Sequence, residues 1–361
     1  MMMRAGIVGM GIMGRLLALA LHSSGWQVSL FDEHEAENNC SSTAAGLLTP
    51  FSECDKADAM IFRLGQESVT HYWPNILKQL VKPVYFQQAG CLVVHHPQDK
   101  AEWQHFSQRI KSKLPEEDYY QHLSKNSLIE LEPELDKFAT AYYFPDEAQI
   151  DCQSLMNSLK EYLQAQNLSF FFNTPVASLT SRQIVTQNKT YSFDYVFDCR
   201  GMGARSVFND LRAVRGELIH LCAPEVQLHR PVRLLHPRYS LYIIPRPENK
   251  YLIGASEIES EDYSPISVRT TLELLTAGYY VHPGFAEARI IETKTHCRPT
   301  LASHLPRIEY QDGLIAVNGL YRHGYLIAPA LVEEILRALK TKQQDIHYPE
   351  LWKYYDHCFS E

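Results

Sequence analysis

The chain has 361 residues, with 34 Lys and Arg against 42 Asp and Glu, a formal charge of −8. It is 45% hydrophobic and 21% charged, an ordinary soluble composition long enough for about two domains. The acidic balance speaks against nucleic acid and anionic membrane as partners, because both need clustered Lys and Arg. No apolar run approaches the roughly 18–20 residues of a bilayer span, and Leu16–Leu21 lacks the cleavage site of a signal peptide. The eight cysteines form no CxxC pair, so free thiols in a reducing, cytoplasmic compartment are expected. The sixteen histidines include no HExxH and no zinc spacing, so no metal is expected.

The N-terminus is the most legible segment. Ala5–Val8 reads as a buried parallel strand. Gly9-Met10-Gly11-Ile12-Met13-Gly14 follows at once. A helix over about 13–23 stops at Ser24-Gly25, and Gln27–Phe31 alternates as a second strand ending at Asp32. This is one βαβ unit with a dinucleotide fingerprint in its required context. Gly9 permits the tight turn, Gly11 lets a pyrophosphate approach the backbone, and Gly14 lets helix pack on strand. The helix N-terminus offers unpaired N–H groups to phosphates. Asp32 stands 21 residues after Gly11, where a carboxylate accepts from ribose hydroxyls. The alternative is a glycine-rich turn with no ligand.

Further along, 55–81 reads as helical with aromatic interruptions. Residues 83–95 look like a strand pair around Gly90. A charged amphipathic helix spans 99–114. Asp151 caps a helix running to Gln166, with Leu155, Leu159 and Leu163 on one stripe. Strands follow at 168–172 and 191–199. Residues 218–295 are mostly strands around one helix, 268–281. Leu241–Ile244 and Tyr251–Gly254 pair across the turn Pro247-Glu248-Asn249. A late strand, 315–318, precedes a helix predicted from Leu326 to Leu339, with Pro329 in its first turn. Helices separating strands at both ends, around a strand-rich middle, imply a discontinuous two-domain α/β protein.

Several segments, in order along the chain, resemble the D-amino-acid oxidase superfamily of flavoproteins, most nearly its glycine oxidases. They are Ser41-Ser42-Thr43-Ala44-Ala45-Gly46-Leu47-Leu48, Phe193–Gly201, Leu241–Arg246 with Ile253–Glu257, His296-Cys297-Arg298-Pro299, and Gly319–Gly324 with Ile327–Ala330. The resemblance spans essentially the whole chain. It implies a Rossmann-like FAD-binding domain of glutathione-reductase type over 1–82, 143–215 and 296–361. A mixed antiparallel-sheet substrate domain would occupy 83–142 and 216–295. The chain departs from the family pattern at Cys297 before Arg298, at Tyr325-Leu326 and at Glu257, all of which bear on substrate preference.

The resemblance also implies an activity: FAD-dependent oxidation of glycine, or of sarcosine or a small D-amino acid. The products would be an imine, or glyoxylate plus ammonia, with dioxygen as electron acceptor and hydrogen peroxide formed; the setting would be thiamine thiazole biosynthesis. It assigns Arg298, Tyr242 and Arg322 to the substrate carboxylate. Bidentate arginine suits that task. For non-covalent FAD it implies Gly9, Gly11, Ile12, Met13, Gly14, Asp32, Ser41, Ser42, Thr43, Ala45, Gly46, Leu47, Leu48, Val176, Gly201, Gly319, Tyr321, Arg322, His323, Gly324, Tyr325 and Leu326. The last helix would direct its N-terminus at the flavin pyrimidine. Flavin oxidation needs little acid–base machinery, so His323 is given no direct role, and Cys297 is not expected to bind flavin covalently. The rivals are a nicotinamide dehydrogenase, a non-catalytic flavin-binding protein and the flavin half of a tRNA-modifying enzyme. Oligomeric state is left open, with a homo-oligomer among the options.

Overall fold

The computed structural model describes residues 2–35, 39–114, 117–236 and 240–354. Cys358 and the end of the expected cofactor domain lie outside them.

β1 (Arg4–Val8), α1 (Ile12–Ser23) and β2 (Gln27–Phe31) form the anticipated βαβ unit. β1 lies inside a seven-stranded sheet, parallel to β2 on one side and to the central strand Tyr195–Asp198 on the other. Next come Leu314–Asn318, parallel, and Arg307–Gln311, antiparallel. Trp352–Tyr354 and Ser169–Phe171 are the edges. Ala5 and Ile7 are fully buried, as an interior parallel strand covered on both faces requires. Helices α1, Cys152–Ala165 and Gly324–Lys340 bury one face in a common core with Leu17, Leu159 and Leu331. The other face, carrying Val8, Phe31 and Val196, is covered by a three-stranded sheet through Ile184. The expected α/β layering is present.

A second sheet has nine strands, all but one of its pairings antiparallel. The exception joins Val232–Leu235 to Cys91–His95. Strands Ser240–Arg246 and Lys250–Gly254 are neighbours, as the alternation predicts. Glu248 and Asn249 both take positive φ, 63° and 56°, the pairing of a tight hairpin turn. Three expected boundaries, at 142/143, 215/216 and 295/296, fall inside strands of this sheet: Thr140–Phe144, Arg212–Cys222 and Arg289–Thr300. Arg298 therefore belongs to the second sheet, not to the cofactor layer.

Other expectations need correction. The two segments around Gly90 are not a pair. Phe86–Gln87 pairs with Ala148–Ile150, while Cys91–His95 pairs with Thr140–Phe144. Gly90 (φ 78°) turns the chain from one sheet to the other. The helix expected from 55 starts at Ala59, where Asp58 accepts from Met60 N–H (2.8 Å), and passes through a π turn at Ser68–Tyr72. The C-terminal helix starts at Gly324, two residues early. Pro329 thus lies in its second turn and leaves the Tyr325 carbonyl without its i+4 donor. The Trp73 indole N–H supplies that bond instead (2.9 Å).

Candidate active site

The phosphate end is built from backbone. Gly9 has φ 98°, and a Cβ on Gly14 would lie 1.9 Å from the Gly9 carbonyl. Only glycines let strand and helix meet so closely. Gly11 caps α1 without a side-chain bond. The Ile12 N–H donates to Ser41 Oγ (2.9 Å), which brings the small-residue loop onto the helix N-terminus. Asp32 follows β2 and accepts from Met10 N–H (2.6 Å) and His34 N–H (3.1 Å). Gly201 has φ 58°, and its carbonyl accepts from Asn318 Nδ2 (2.8 Å). Ser42 and Thr43 turn inward to cap their own short helix on Asn39. Met13 and Leu48 are core residues, and Val176 packs with the Phe31 cluster.

One cavity runs from this loop to the second sheet. It is lined by Ile12, Ser41, Thr43–Leu47, Tyr321–Leu326, Tyr242, Gly254, Ala255 and Arg298. The three expected carboxylate residues therefore meet in it. Gly9, Gly11, Met13, Gly14, Asp32, Ser42, Leu48, Val176, Gly201 and Gly319, also expected at the cofactor, do not line it. Buried Arg246 fixes the floor to the loop, donating to the carbonyls of Ala45 (2.7 Å) and Ile150 (2.9 Å).

Arg298 lies along the sheet, over Gly216. A Cβ there would stand 2.3 Å from Arg298 Nη2, so the glycine makes room for the guanidinium. Its Nη1 donates to the Ser256 carbonyl (3.0 Å). Nothing pairs it with Glu292 or Asp312. The Tyr242 hydroxyl is buried beside the Glu53 carboxylate, which it helps to hold in its charged form, with no well-aligned hydrogen bond among the described residues; the same hydroxyl can turn to donate to a ligand. Arg322 is already engaged. Its Nη1 donates to Glu257 Oε1 (2.7 Å), and its Nε lies 3.0 Å from Glu53 Oε2 in an ion pair lacking hydrogen-bond alignment. Arg322 therefore bounds the cavity as a neutralised cation, a weaker anion anchor than Arg298.

The family model described as FAD dependent oxidoreductase matches residues 4–336. The chain belongs to that family.

Among its relatives is a protein of Rhizobium etli whose name assigns it to thiamine biosynthesis as the oxidoreductase ThiO. It is 34% identical over 94% of this chain and 98% of its own length. A crystal structure of glycine oxidase from Geobacillus kaustophilus superposes with a TM-score of 0.83 at 21% identity, covering 99% and 100% of the two chains. Iminodiacetate oxidase from Chelativorans sp. BNC1 follows at 0.82 and 20%, covering 98% and 100%. The chain therefore shares the fold of these two oxidase structures, and the protein is an FAD-dependent oxidoreductase. The bare glycine turn, the N-terminus of α1 with no side chain at its cap residue, and the acid that follows β2 fit a dinucleotide. At the other end, a Cβ on Gly324 would have open space around it, which fits a flat ring above the C-terminal helix.

Among the lining residues that escaped sequence reading as parts of the site are Glu53, His296 and, in its pairing with Arg322, Glu257. Glu53 rides on a turn held by the buried pair of Arg233 Nη1 and Asp55 Oδ1 (2.8 Å), and no local pattern marks it. Burial pushes its carboxyl up, but Arg322, His323 and Arg233 pull it down to about 2. Burial also raises Glu257, and Arg322 and Arg298 bring it below its ordinary value. His323 is buried and falls to about 4, so it is neutral at physiological pH. Cys297 points its thiol at the carbonyls of Ser260 and Asp262 (both 3.6 Å) and does not line the cavity.

Proposed function

We propose that the protein oxidises the Cα–N bond of a small amino acid, with glycine the leading candidate. The observation that carries this reading is the meeting, in one cavity, of Arg298, the Tyr242 hydroxyl and the Tyr321–Leu326 segment. Arg298 offers the fork that a carboxylate binds in bidentate fashion, and Tyr242 adds a third donor. Ala255, Gly254 and Ile244 leave a low apolar floor, which suits a substrate with little or no side chain. FAD, when bound, accepts the two electrons of the substrate Cα–H bond, and the protein contributes placement and field. The N-terminus of helix Gly324–Lys340 carries no side-chain cap, so its dipole and free N–H groups stabilise negative charge at that end. Gly9, Gly11, Gly14 and Asp32 would hold the dinucleotide, and Ser41–Leu47 its ring side. The imine product hydrolyses in water to glyoxylate and ammonia, and dioxygen is the acceptor of choice. The name of the Rhizobium etli relative supports a place in thiamine biosynthesis.

The test is an anaerobic screen of amines that follows bleaching of bound flavin. Glycine, sarcosine and small D-amino acids are expected to bleach it, and amines lacking a carboxylate to be poor substrates. Arg298→Ala is expected to lower kcat/KM about a hundredfold or more with FAD still bound. Arg298→Lys keeps the charge but loses the fork, and should recover part of the loss. Equal losses for glycine and a carboxylate-free amine would remove Arg298 as the anchor.

A further inference from the structure

We propose that His296 is the base that takes the proton from the substrate ammonium, an inference that rests on the amino-acid reading above. An amino acid reaches the site mainly as a zwitterion. Its nitrogen needs a free lone pair before Cα–H can be cleaved, so one proton must leave first.

The geometry places an acceptor beside the carboxylate anchor. His296 and Arg298 are two apart on one strand and share its cavity face. Gly216 is the cross-strand partner of His296. The Arg298 guanidinium lies over Gly216, and so next to the imidazole. A carboxylate and an α-amine are separated by one carbon, so a substrate held by Arg298 presents its nitrogen within this small region. The His296 ring is fixed edge to face against Tyr263 (5.3 Å between centroids, 82°). Its Nδ1 faces the Cys297 carbonyl at 3.2 Å. A carbonyl can only accept, so Nδ1 carries the hydrogen and Nε2 keeps its lone pair. Nε2 has no hydrogen-bond partner among the described residues.

The ionisable groups around the ring agree with a neutral resting state. On the same strand stand Arg298 and, two residues before the ring, Lys294, which pairs with Glu292 (3.5 Å); around the cavity are Cys40, Glu53, Glu257, Tyr321 and the neutralised Arg322; beyond the ring is Tyr263. Arg215 and Glu217 on the adjoining strand pair with each other (2.6 Å), one residue out of phase with the cavity face. Burial lowers the imidazole below its ordinary value, against a smaller upward pull from the Cys297 carbonyl. In the step itself, a substrate N–H bond breaks and its electron pair stays on nitrogen. The proton bonds to His296 Nε2 and passes from there to water, since the residue is partly exposed.

The experiment uses the FAD-loaded enzyme and His296→Gln, which keeps bulk and polarity but cannot carry the proton. Wild-type kcat/KM for glycine should be level from neutral pH upward. The variant must wait for substrate that is already deprotonated. Its kcat/KM should fall about a hundredfold at pH 7 and climb about tenfold per pH unit toward the amine's own pKa. An N-substituted glycine with an electron-withdrawing group, and hence a neutral amine at pH 7, should be oxidised equally by both. A binding arm needs no turnover: acetate should bind wild type more tightly as pH drops below the His296 pKa, and His296→Gln with no such dependence. A variant with an unchanged pH profile and unchanged acetate linkage overturns the proposal. A wild type that bleaches with no amino acid overturns the functional reading instead, while its acetate titration still reports whether His296 charges beside Arg298.

Discussion

Glu147 and Glu53 show how far neighbouring carboxyls diverge when only one has a cation. Glu147 is fully buried; its Oε1 accepts from the N–H groups of Phe51 (2.9 Å) and Ser52 (2.6 Å), and no cation offsets the burial. Burial drives its pKa up to about 8 against the pull of those two donors. Between the ordinary carboxyl value and about 8, the native state holds a proton that the unfolded chain has released. Stability therefore falls as pH rises through that window. Glu147→Gln mimics the protonated acid, so it should flatten thermal midpoints between pH 5 and 8 and raise the midpoint at pH 8, on the order of 2–4 °C for each kcal/mol. A steeper slope in the variant would contradict this. Glu53 runs the other way. Its value of about 2 means its contribution is complete above the ordinary carboxyl value and lost as pH falls toward 2. Tyr242→Phe separates binding from folding: kcat/KM for glycine should drop about ten- to a hundredfold, by the roughly 1.5–3 kcal/mol of a hydrogen bond to a charged group. Urea stability should fall by no more than about 1 kcal/mol, because Glu53, the carboxylate the hydroxyl faces, stays paired with Arg322.

The C-terminal helix is the element on which the site depends most. It carries Tyr325 and Leu326 into the cavity and aims its N-terminus there. Its weak point is the Tyr325 carbonyl left open by Pro329 and bonded by the Trp73 indole instead. Trp73→Phe should cost about 1–3 kcal/mol through the unsatisfied buried carbonyl, in addition to lost packing. Pro329→Ala restores an i+4 donor, so Trp73→Phe should cost less in that background. A double-mutant cycle of urea midpoints reads the coupling, and strict additivity would exclude the compensation. At α1, Gly11 is a cleaner probe than Gly14. A Cβ on Gly14 meets backbone at 1.9 Å, whereas on Gly11 it meets only the Ser41 hydroxyl at 3.1 Å. Gly11→Val should therefore fold, and yet purify without FAD.

At the scale of the whole molecule, the cavity lies where loop, C-terminal helix and second sheet converge, so FAD bound there would touch both sheets. FAD at about a hundred times its Kd should stabilise the fold by about 2.7 kcal/mol, and Gly11→Val should lose that dependence. Melting with and without added FAD measures it. Among the described residues no helix is long and apolar enough to cross a membrane.

The sequence by itself determined the βαβ unit, the nucleotide fingerprint, the hairpin around Glu248-Asn249 and the helix at 268–281. Each is written in local periodicity, capping or turn chemistry, which acts over a few residues. The resemblance added Arg298 and Tyr242, and the cavity brings them together. Only the tertiary structure decided that Arg322 is neutralised, because Glu53 and Glu257 reach it from 269 and 65 residues away in the chain. It also separated the strands around Gly90 and ran single strands through three of the expected domain boundaries, since strand partners are chosen across long loops. His296 reads as one histidine among sixteen. Its place opposite Gly216, beside the Arg298 guanidinium, exists only once two distant strands are in register.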